Sequence, residues 1–180
     1  MEAPRQNLPN YTVRDHEHWE GKWELWHGRA VSMSPSPGVP HGRFASRVIQ
    51  RFANQLDAQG GCGGCDVVNE IDWVLADDVV LKPDVAVVCD DLEATRIHRP
   101  PRLIVEVLSP GTHLRDHDEK RDLYREHGVA YYLLADPKGW TLHDAFAQRQ
   151  PGVHRLDLHD GCTVELPRDW PRRPGQPGPA

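Results

Sequence analysis

One acidic residue inside an apolar segment restricts the fold of this chain more than any other sequence feature. Glu106 lies in the segment LIVEVL, residues 103–108, where both neighbours on each side are apolar. A nearly continuous apolar run of this length is typical of a β-strand that is covered on both faces. A carboxylate buried there without compensation costs several kcal/mol, so the fold must supply a group that stabilises it.

A second acidic residue begins the preceding apolar run. Asp84 stands directly before the segment VAVV. If the two strands are neighbours, their carboxylates meet at one point of the sheet, and each raises the pKa of the other unless a cation lies between them. Hard divalent cations prefer one or two carboxylates, a backbone carbonyl and retained waters. We therefore predict a Mg²⁺ or Mn²⁺ site on Asp84 and Glu106, with the carbonyl of Val107 as a further ligand.

A structural alternative for Glu106 stays open. The carboxylate of Glu106 could be paired with a buried guanidinium, with Arg102 or Arg121 as the candidate. Such a pair would stabilise the strand without any catalytic role.

The remaining pattern predicts an α/β fold. WELWHGRAVSM is typical of a hairpin with its turn at Gly28. Apolar residues at every fourth position indicate an amphipathic helix over residues 42–59.

The second half of the chain is rich in predicted strands. CDVVNEIDWVL and VVLKPDVAVVC are each interpreted as one strand, with Pro83 at a strand start or an irregularity. A strand–helix–strand unit follows, made of RLIVEVLS, a helix over residues 116–127 and VAYYLLAD. Such a unit predicts a parallel pair of strands. TLHDAF and residues 154–166 are expected to form late strands in a hairpin.

The second predicted helix carries the third candidate residue. Its sequence DHDEKRDLY places Asp116, Lys120 and Tyr124 on one face, at intervals of four residues. In one interpretation Lys120 is only the exposed partner of Asp116. In the other, its ammonium group points back over the edge of the sheet, toward the attacking water or the phosphate.

These segments, in this order, resemble a known bacterial family. The motifs are PD before an apolar run, then EVLSP, DxxxKxxxY and LLADP. From Trp23 to Pro137 the chain is similar to the restriction-endonuclease-like domains of the PD-(D/E)xK nuclease superfamily. The resemblance implies a restriction-endonuclease-like core, a mixed central sheet flanked by helices. It also implies Asp84 as the PD aspartate and Glu106 as the second carboxylate. Glu24 and His41 match the opening of the family and are further candidates for the site.

The sequence departs from the superfamily pattern at one position. The lysine expected two residues after Glu106 is replaced by Leu108, and the resemblance points instead to Lys120 on the following helix. The predicted activity is metal-dependent cleavage of phosphodiester bonds in nucleic acid, with DNA favoured over RNA. The alternative is a non-catalytic binding or regulatory module on the same fold, which Leu108 and the net charge of -6 favour. That charge weakens the case for DNA binding by a broad basic field, although a bound cation would supply positive charge locally.

Composition sets the domain organisation. Hydrophobic residues make up 38% and charged residues 27% of the 180 positions, which is typical of a soluble globular chain. No apolar run approaches the roughly 20 residues of a membrane span, and the N-terminus lacks the profile of a signal peptide, so we expect a cytoplasmic protein. We expect a loose lead-in over residues 1–15, one domain over 16–166 and a proline-rich tail over 167–180. The oligomeric state stays open, a homodimer being one alternative.

The four cysteines are expected to be thiols in a reducing compartment. Cys62 and Cys65 form a CxxC pair, and Cys89 and Cys162 could complete a four-thiolate zinc site. A second CxxC pair is absent from the sequence, so we expect Cys62 and Cys65 in a mobile, glycine-rich turn without zinc. A zinc- or thiol-based protein is the third functional alternative.

Overall fold

The computed structural model describes residues 9–33, 38–60, 62–89, 92–109, 114–146 and 154–166, together with Trp170. Its helices are α1 (Val13–His16), α2 (Val39–Ala58) and α3 (Leu114–Glu126). Its strands are β1 (Trp23–Trp26), β2 (Arg29–Ser32), β3 (Cys65–Val68), β4 (Trp73–Ala76), β5 (Val79–Leu81), β6 (Val85–Cys89), β7 (Leu103–Val107), β8 (Tyr131–Asp136), β9 (Thr141–Asp144), β10 (His154–His159) and β11 (Cys162–Leu166). Within these ranges, no helix combines the length and apolar character needed to cross a bilayer.

A mixed five-stranded sheet forms the centre of the fold. Its strand order is β3-β6-β7-β8-β9, and β7 and β8 run parallel while the other pairs are antiparallel. Helix α3 connects the parallel pair, which confirms the predicted strand–helix–strand unit. Because β6 and β7 are antiparallel neighbours, the start of β6 and the end of β7 lie at the same edge of the sheet. The chain therefore brings Asp84 and Glu106 to one edge.

Helix α2 packs on one face of this sheet. Its buried residues Phe44, Val48, Phe52 and Leu56 share a core with alternate residues of β6 and β7, among them Val85 and Val105. This confirms the predicted apolar face of the helix. The helix starts earlier than predicted, at Val39, because Pro40 in its first turn needs no hydrogen-bond acceptor for a backbone N–H.

The other face of the sheet is covered by α3 and by a second sheet. That sheet has the strand order β2-β1-β5-β4, and its Trp26 and Trp73 share a core with Ile104, Tyr124 and Tyr132. Both faces of β7 are thus covered, as its apolar sequence predicts.

Two of the predicted strands are wrong as single strands. CDVVNEIDWVL divides into β3 and β4, and VVLKPDVAVVC divides into β5 and β6, with the two halves of each segment in different sheets. Pro83 lies at the second break, where its missing N–H would interrupt a ladder. Glu70 lies at the first break with a positive φ of 52°, and its N–H donates to the carbonyl of Pro83 at 3.1 Å. The two breaks are therefore held against each other.

The ends of the chain differ in part from expectation. Residues 13–15 of the expected lead-in belong to α1, whose first turn is capped by Thr12 and Asp15, while residues 1–8 lie outside the described residues. Strand β9 pairs with β8, so β10 and β11 form the late hairpin by themselves. Of the tail, only Trp170 is described, and its ring lies 6.4 Å from that of Phe52.

The expectation of four free thiols is wrong for this structure. Cys62 is bonded to Cys162, and Cys65 is bonded to Cys89. Cys65 and Cys89 are directly opposite each other on the β3–β6 ladder, and β11 packs near the end of α2, which brings Cys162 to Cys62. Cys62 and Cys65 are both buried in the core beneath α2, so the glycine-rich turn between them is anchored at both ends.

The predicted hairpin at Gly28 is confirmed. Trp26 pairs with Arg29, and the two turn residues His27 and Gly28 have positive φ angles of 47° and 75°. Positive φ at both central positions is typical of a type I′ turn, for which glycine is favoured at the second.

Gly28→Ala is expected to lower the free energy of unfolding by about 1–2 kcal/mol, because an L-residue is disfavoured at this φ. A Cβ atom there would also lie 2.1 Å from Oδ1 of Asn10. Gly42→Ala is the matched control, since that position lies inside α2 and a Cβ there meets no atom within 4 Å. The control should gain roughly 0.5–1 kcal/mol. Urea denaturation of both variants measures the difference, and equal effects would contradict the assignment of the turn.

Candidate active site

Glu106 is buried, with 4% of its surface exposed, and its carboxylate has two donors. Oε1 accepts hydrogen bonds from Nζ of Lys120 at 3.0 Å and from the hydroxyl of Tyr124 at 2.6 Å. The described contacts of the two arginines considered above go elsewhere: Arg102 contacts His159, and Arg121 contacts Asp118 and Asp122. The cation beside Glu106 is therefore Lys120.

Lys120 is also buried, with 8% exposed, so it is not an exposed helix lysine. Its ammonium group lies between Oε1 of Glu106, at 3.0 Å, and Oε1 of Glu24, at 2.9 Å. Helix α3 presents Lys120 and Tyr124 to the sheet because they are one turn apart on its inner face. The side chain of Asp116 lies outside the described residues.

Glu24 reaches this point from the second sheet. It is 3% exposed, and both of its oxygens have protein donors. Besides Lys120, Oε1 accepts the backbone N–H of Lys82 at 2.8 Å, and Oε2 accepts the indole N–H of Trp26 at 2.9 Å. Glu24 and Trp26 are two residues apart on β1, so they lie on the same face of the strand.

Asp84 and His41 form a second hydrogen-bonded pair at the same sheet edge. His41 lies in the first turn of α2, and its Nε2 is 3.1 Å from Oδ2 of Asp84. The same oxygen accepts the backbone N–H of Val107 at 2.8 Å. Asp84 is therefore bonded directly to the residue that follows Glu106.

The two carboxylates of this edge have different electrostatic environments. Burial raises the pKa of Glu106 to about 7; Lys120 opposes this rise, while the charges of Asp84 and Glu24 add to it. Burial also acts to raise the pKa of Asp84, but the hydrogen bond and charge of His41 and the N–H of Val107 bring that pKa below its usual value. Asp84 is thus ionised at neutral pH, whereas Glu106 exchanges its proton there.

The two basic groups keep their protons more strongly than usual. Burial alone would lower the pKa of Lys120, but the carboxylates of Glu106 and Glu24 raise it above its ordinary value. Burial likewise acts to lower the pKa of His41, and its contact with Asp84 raises it overall. Lys120 is therefore a fixed positive charge and not a general base.

Comparison with known proteins gives concordant results. A family model described as "Uma2: Putative restriction endonuclease" matches residues 9–169. An uncharacterized protein of Synechocystis sp. is 30% identical over 142 residues, which are 73% of this chain and 72% of that protein.

The chain belongs to the Uma2 family.

A solved structure has the same fold as this Uma2 chain. It is the crystal structure of a putative nuclease belonging to DUF820 from Anabaena variabilis, with a TM-score of 0.59 and 18% sequence identity. The likeness covers 72% of this chain and 73% of that one. It confirms the predicted fold, a mixed sheet with flanking helices, and the Uma2 match confirms the family resemblance.

The structure brings together all five side chains that the sequence nominates for the Uma2 site. Lys120 joins Glu106 to Glu24, and Asp84 joins His41 to the backbone of Val107. Their catalytic and metal-binding roles stay predictions. Among the described residues, the structure contains no group of three or more histidine, cysteine or acidic side chains arranged to hold a metal ion.

Sequence reasoning missed two donors of this site. The sequence pattern places Tyr124 on the face of Lys120 without assigning it a role, and it does not single out Trp26. Both were detectable by spacing, because Tyr124 follows Lys120 by one helical turn and Trp26 follows Glu24 by two residues in a strand.

Glu106→Gln is expected to gain stability relative to the parent protein as the pH rises from 4.5 to about 7. In this range the folded state binds a proton at Glu106 that the unfolded chain has lost, so the parent loses stability with rising pH while the glutamine variant has no such group. Urea denaturation across the range measures the difference.

The control is Glu165→Gln, which removes an exposed carboxylate on β11. A difference between Glu106→Gln and the parent that shrinks as the pH rises would contradict the raised pKa of Glu106.

Proposed function

We propose that this Uma2 protein is a metal-dependent endonuclease that hydrolyses phosphodiester bonds in DNA. The observation that carries the proposal is the convergence of Asp84, Glu106 and Lys120 at one sheet edge, where β7 ends and the antiparallel β6 begins. Membership of the Uma2 family and a fold shared with a putative nuclease support the same reaction class.

The chemistry of the donors fits Mg²⁺ or Mn²⁺. The described contacts of Asp84 use Oδ2 and those of Glu106 use Oε1, and none of them uses the second oxygen of either carboxylate. These cations bind through one or two carboxylates, with waters and substrate phosphate completing the set, so a cage of three or more protein side chains is not required. Asp84, Glu106 and the carbonyl of Val107 would hold the ion. A divalent cation supplies Lewis-acid stabilisation of the charge that develops on the phosphate.

The protein groups have separate roles in this proposal. Lys120, held protonated by two carboxylates, provides fixed positive charge for the phosphate in the transition state. Glu24 and Tyr124 position Lys120 and Glu106, respectively, through buried contacts. His41 orients Asp84 through its contact with Oδ2.

A non-catalytic module on the same fold is the second candidate. Two observations favour it: Leu108 occupies the usual lysine position, and no ready group of three metal-ligating side chains exists in the described residues. Metal-dependent cleavage distinguishes the two candidates.

The proposal also covers the location of the protein in the cell and its oligomeric state. We infer a cytoplasmic protein and keep a homodimer as the alternative to a monomer. Two disulfides are more usual in oxidising compartments, which weighs against the cytoplasm.

Glu106→Gln is expected to abolish nicking of supercoiled plasmid DNA in Mn²⁺ or Mg²⁺ while the protein stays folded, because the variant loses a charged oxygen ligand. Isothermal titration with Mn²⁺ should show weakened metal binding in parallel. Glu165→Gln is the control, since it makes the same change at an exposed carboxylate on β11. Nicking by the parent that is independent of added metal, or full activity of Glu106→Gln, would refute the proposal.

Lys120→Met is expected to lower the cleavage rate by about 10²–10³-fold while Mn²⁺ affinity is retained, because a positive charge near the phosphate is lost but no ligand is removed. Leaving Glu24 and Glu106 without their cation also destabilises the fold. The double variant Glu24→Gln/Lys120→Met therefore provides a second test with one fewer buried charge. Retained cleavage in either folded variant would show that Lys120 has only a structural role.

A further inference from the structure

Helix α2 has a basic outer face in a chain whose net charge is -6. Arg43 and Arg47 are exposed one turn apart, and the amides Gln50 and Asn54 are exposed on the same side. The sequence has no aspartate or glutamate between residues 39 and 56. The first four turns of this face therefore carry only positive or neutral polar groups.

The described arginines fall into two groups, those paired with a carboxylate and those without one, and the second group includes Arg14, Arg102 and Arg125 as well as Arg43 and Arg47. Arg29, Arg96 and Arg121 each form an ion pair with a carboxylate. Within the part of the chain that the structure describes, neither Arg43 nor Arg47 has a carboxylate within ion-pair distance. A protein that is acidic overall has enough carboxylates to neutralise its surface arginines. Arg47 donates only to the neutral amide oxygen of Gln50, at 3.3 Å, so no carboxylate neutralises either guanidinium group and both are available for an external anion.

This face begins at the same end of α2 as the candidate active site, on the side of the helix that is turned away from the sheet. The first turn of α2 contains His41, which contacts Asp84. Arg43 follows two residues later and Arg47 one turn beyond it, so the three residues span about 9 Å along the helix axis at about 1.5 Å per residue. A nucleic-acid strand that passes over the start of α2 from the sheet edge would meet Arg43 first and Arg47 next.

We propose that the exposed face of α2, centred on Arg43 and Arg47, binds the phosphate backbone of the DNA substrate. The choice of DNA rests on the proposed function; the choice of phosphate rests on the guanidinium pair itself. Arginine presents several N–H donors in a planar arrangement that matches phosphate oxygens, and the amides of Gln50 and Asn54 can add neutral donors. Such contacts set the register of the strand at the site without reading its sequence.

The proposal is tested by fluorescence anisotropy with a labelled DNA duplex of about 20 base pairs, at salt concentrations from about 50 to 200 mM and with EDTA present. Arg43→Gln/Arg47→Gln should bind roughly tenfold or more weakly than the parent. Its slope of log affinity against log salt should fall by about 1.8, because each phosphate contact contributes about 0.9. The control Arg14→Gln/Arg155→Gln removes the same two charges from exposed positions on α1 and β10 and should bind like the parent.

Three results would overturn the proposal: an unchanged salt slope in the α2 variant, an equal loss in the control, or no binding of DNA by the parent at the lowest salt. RNA duplex bound as tightly as DNA would overturn the choice of DNA. Hydrolysis of bis(p-nitrophenyl) phosphate with Mn²⁺ tests the chemical step separately, and it should be equal in parent and α2 variant. If the parent cleaves neither this ester nor plasmid while the α2 variant loses DNA binding, the nuclease proposal fails and the binding face stands.

Discussion

The ammonium group of Lys120 lies between two buried carboxylates, and the three side chains come from three separate parts of the chain. Glu24 belongs to the second sheet, Glu106 to the central sheet and Lys120 to α3. Any one of these charges buried alone would cost several kcal/mol, so the three elements are stable in these positions only together. The carboxylate of Glu24 also accepts a hydrogen bond from the indole of Trp26, on the same strand, and one from the backbone N–H of Lys82, just after β5. The geometry of the candidate site, and the position of both sheets relative to α3 beside their apolar core, thus depend on the two ion pairs of one ammonium group.

The same contact limits the chemistry available to the site. Since Lys120 stays protonated, the site has a positive charge in place but no lysine base. Glu106 exchanges its proton near neutral pH while Asp84 stays ionised beside His41. Two carboxylates at one sheet edge are thus made unequal by their surroundings, which is how a protein assigns different tasks to identical groups.

Local patterns made much of this fold predictable from the sequence. The apolar stripe of α2, the turn at Gly28 and the parallel pair around α3 depend on spacing over a few residues or on the handedness of a short crossover. The location of Asp84 and Glu106 also followed, because an acidic residue inside an apolar run or directly before one is visible in the sequence. The lysine was harder to place, since its position relative to Glu106 depends on how α3 docks.

Features set by long-range register could not be predicted. The segment VVLKPDVAVVC does not indicate that its two halves belong to different sheets. Pro83 predicts an interruption of the strand, but it does not predict which sheet each half joins. The cysteine pairs depend on β3 lying opposite β6 and on β11 lying beside α2, and a sequence with four cysteines allows three pairings. The hydrogen bonds of Tyr124 and Trp26 likewise require the two sheets and α3 to be assembled.

The bond between Cys62 and Cys162 closes a covalent ring that contains Asp84, Glu106 and Lys120, and the bond between Cys65 and Cys89 lies inside it. A protease that cuts the backbone once within this ring releases no fragment, because the two pieces stay joined through sulfur. Such a nicked chain would migrate as a single species in electrophoresis without reductant and separate into two bands when thiol is added. An intact band under non-reducing conditions is therefore no proof that the backbone is whole.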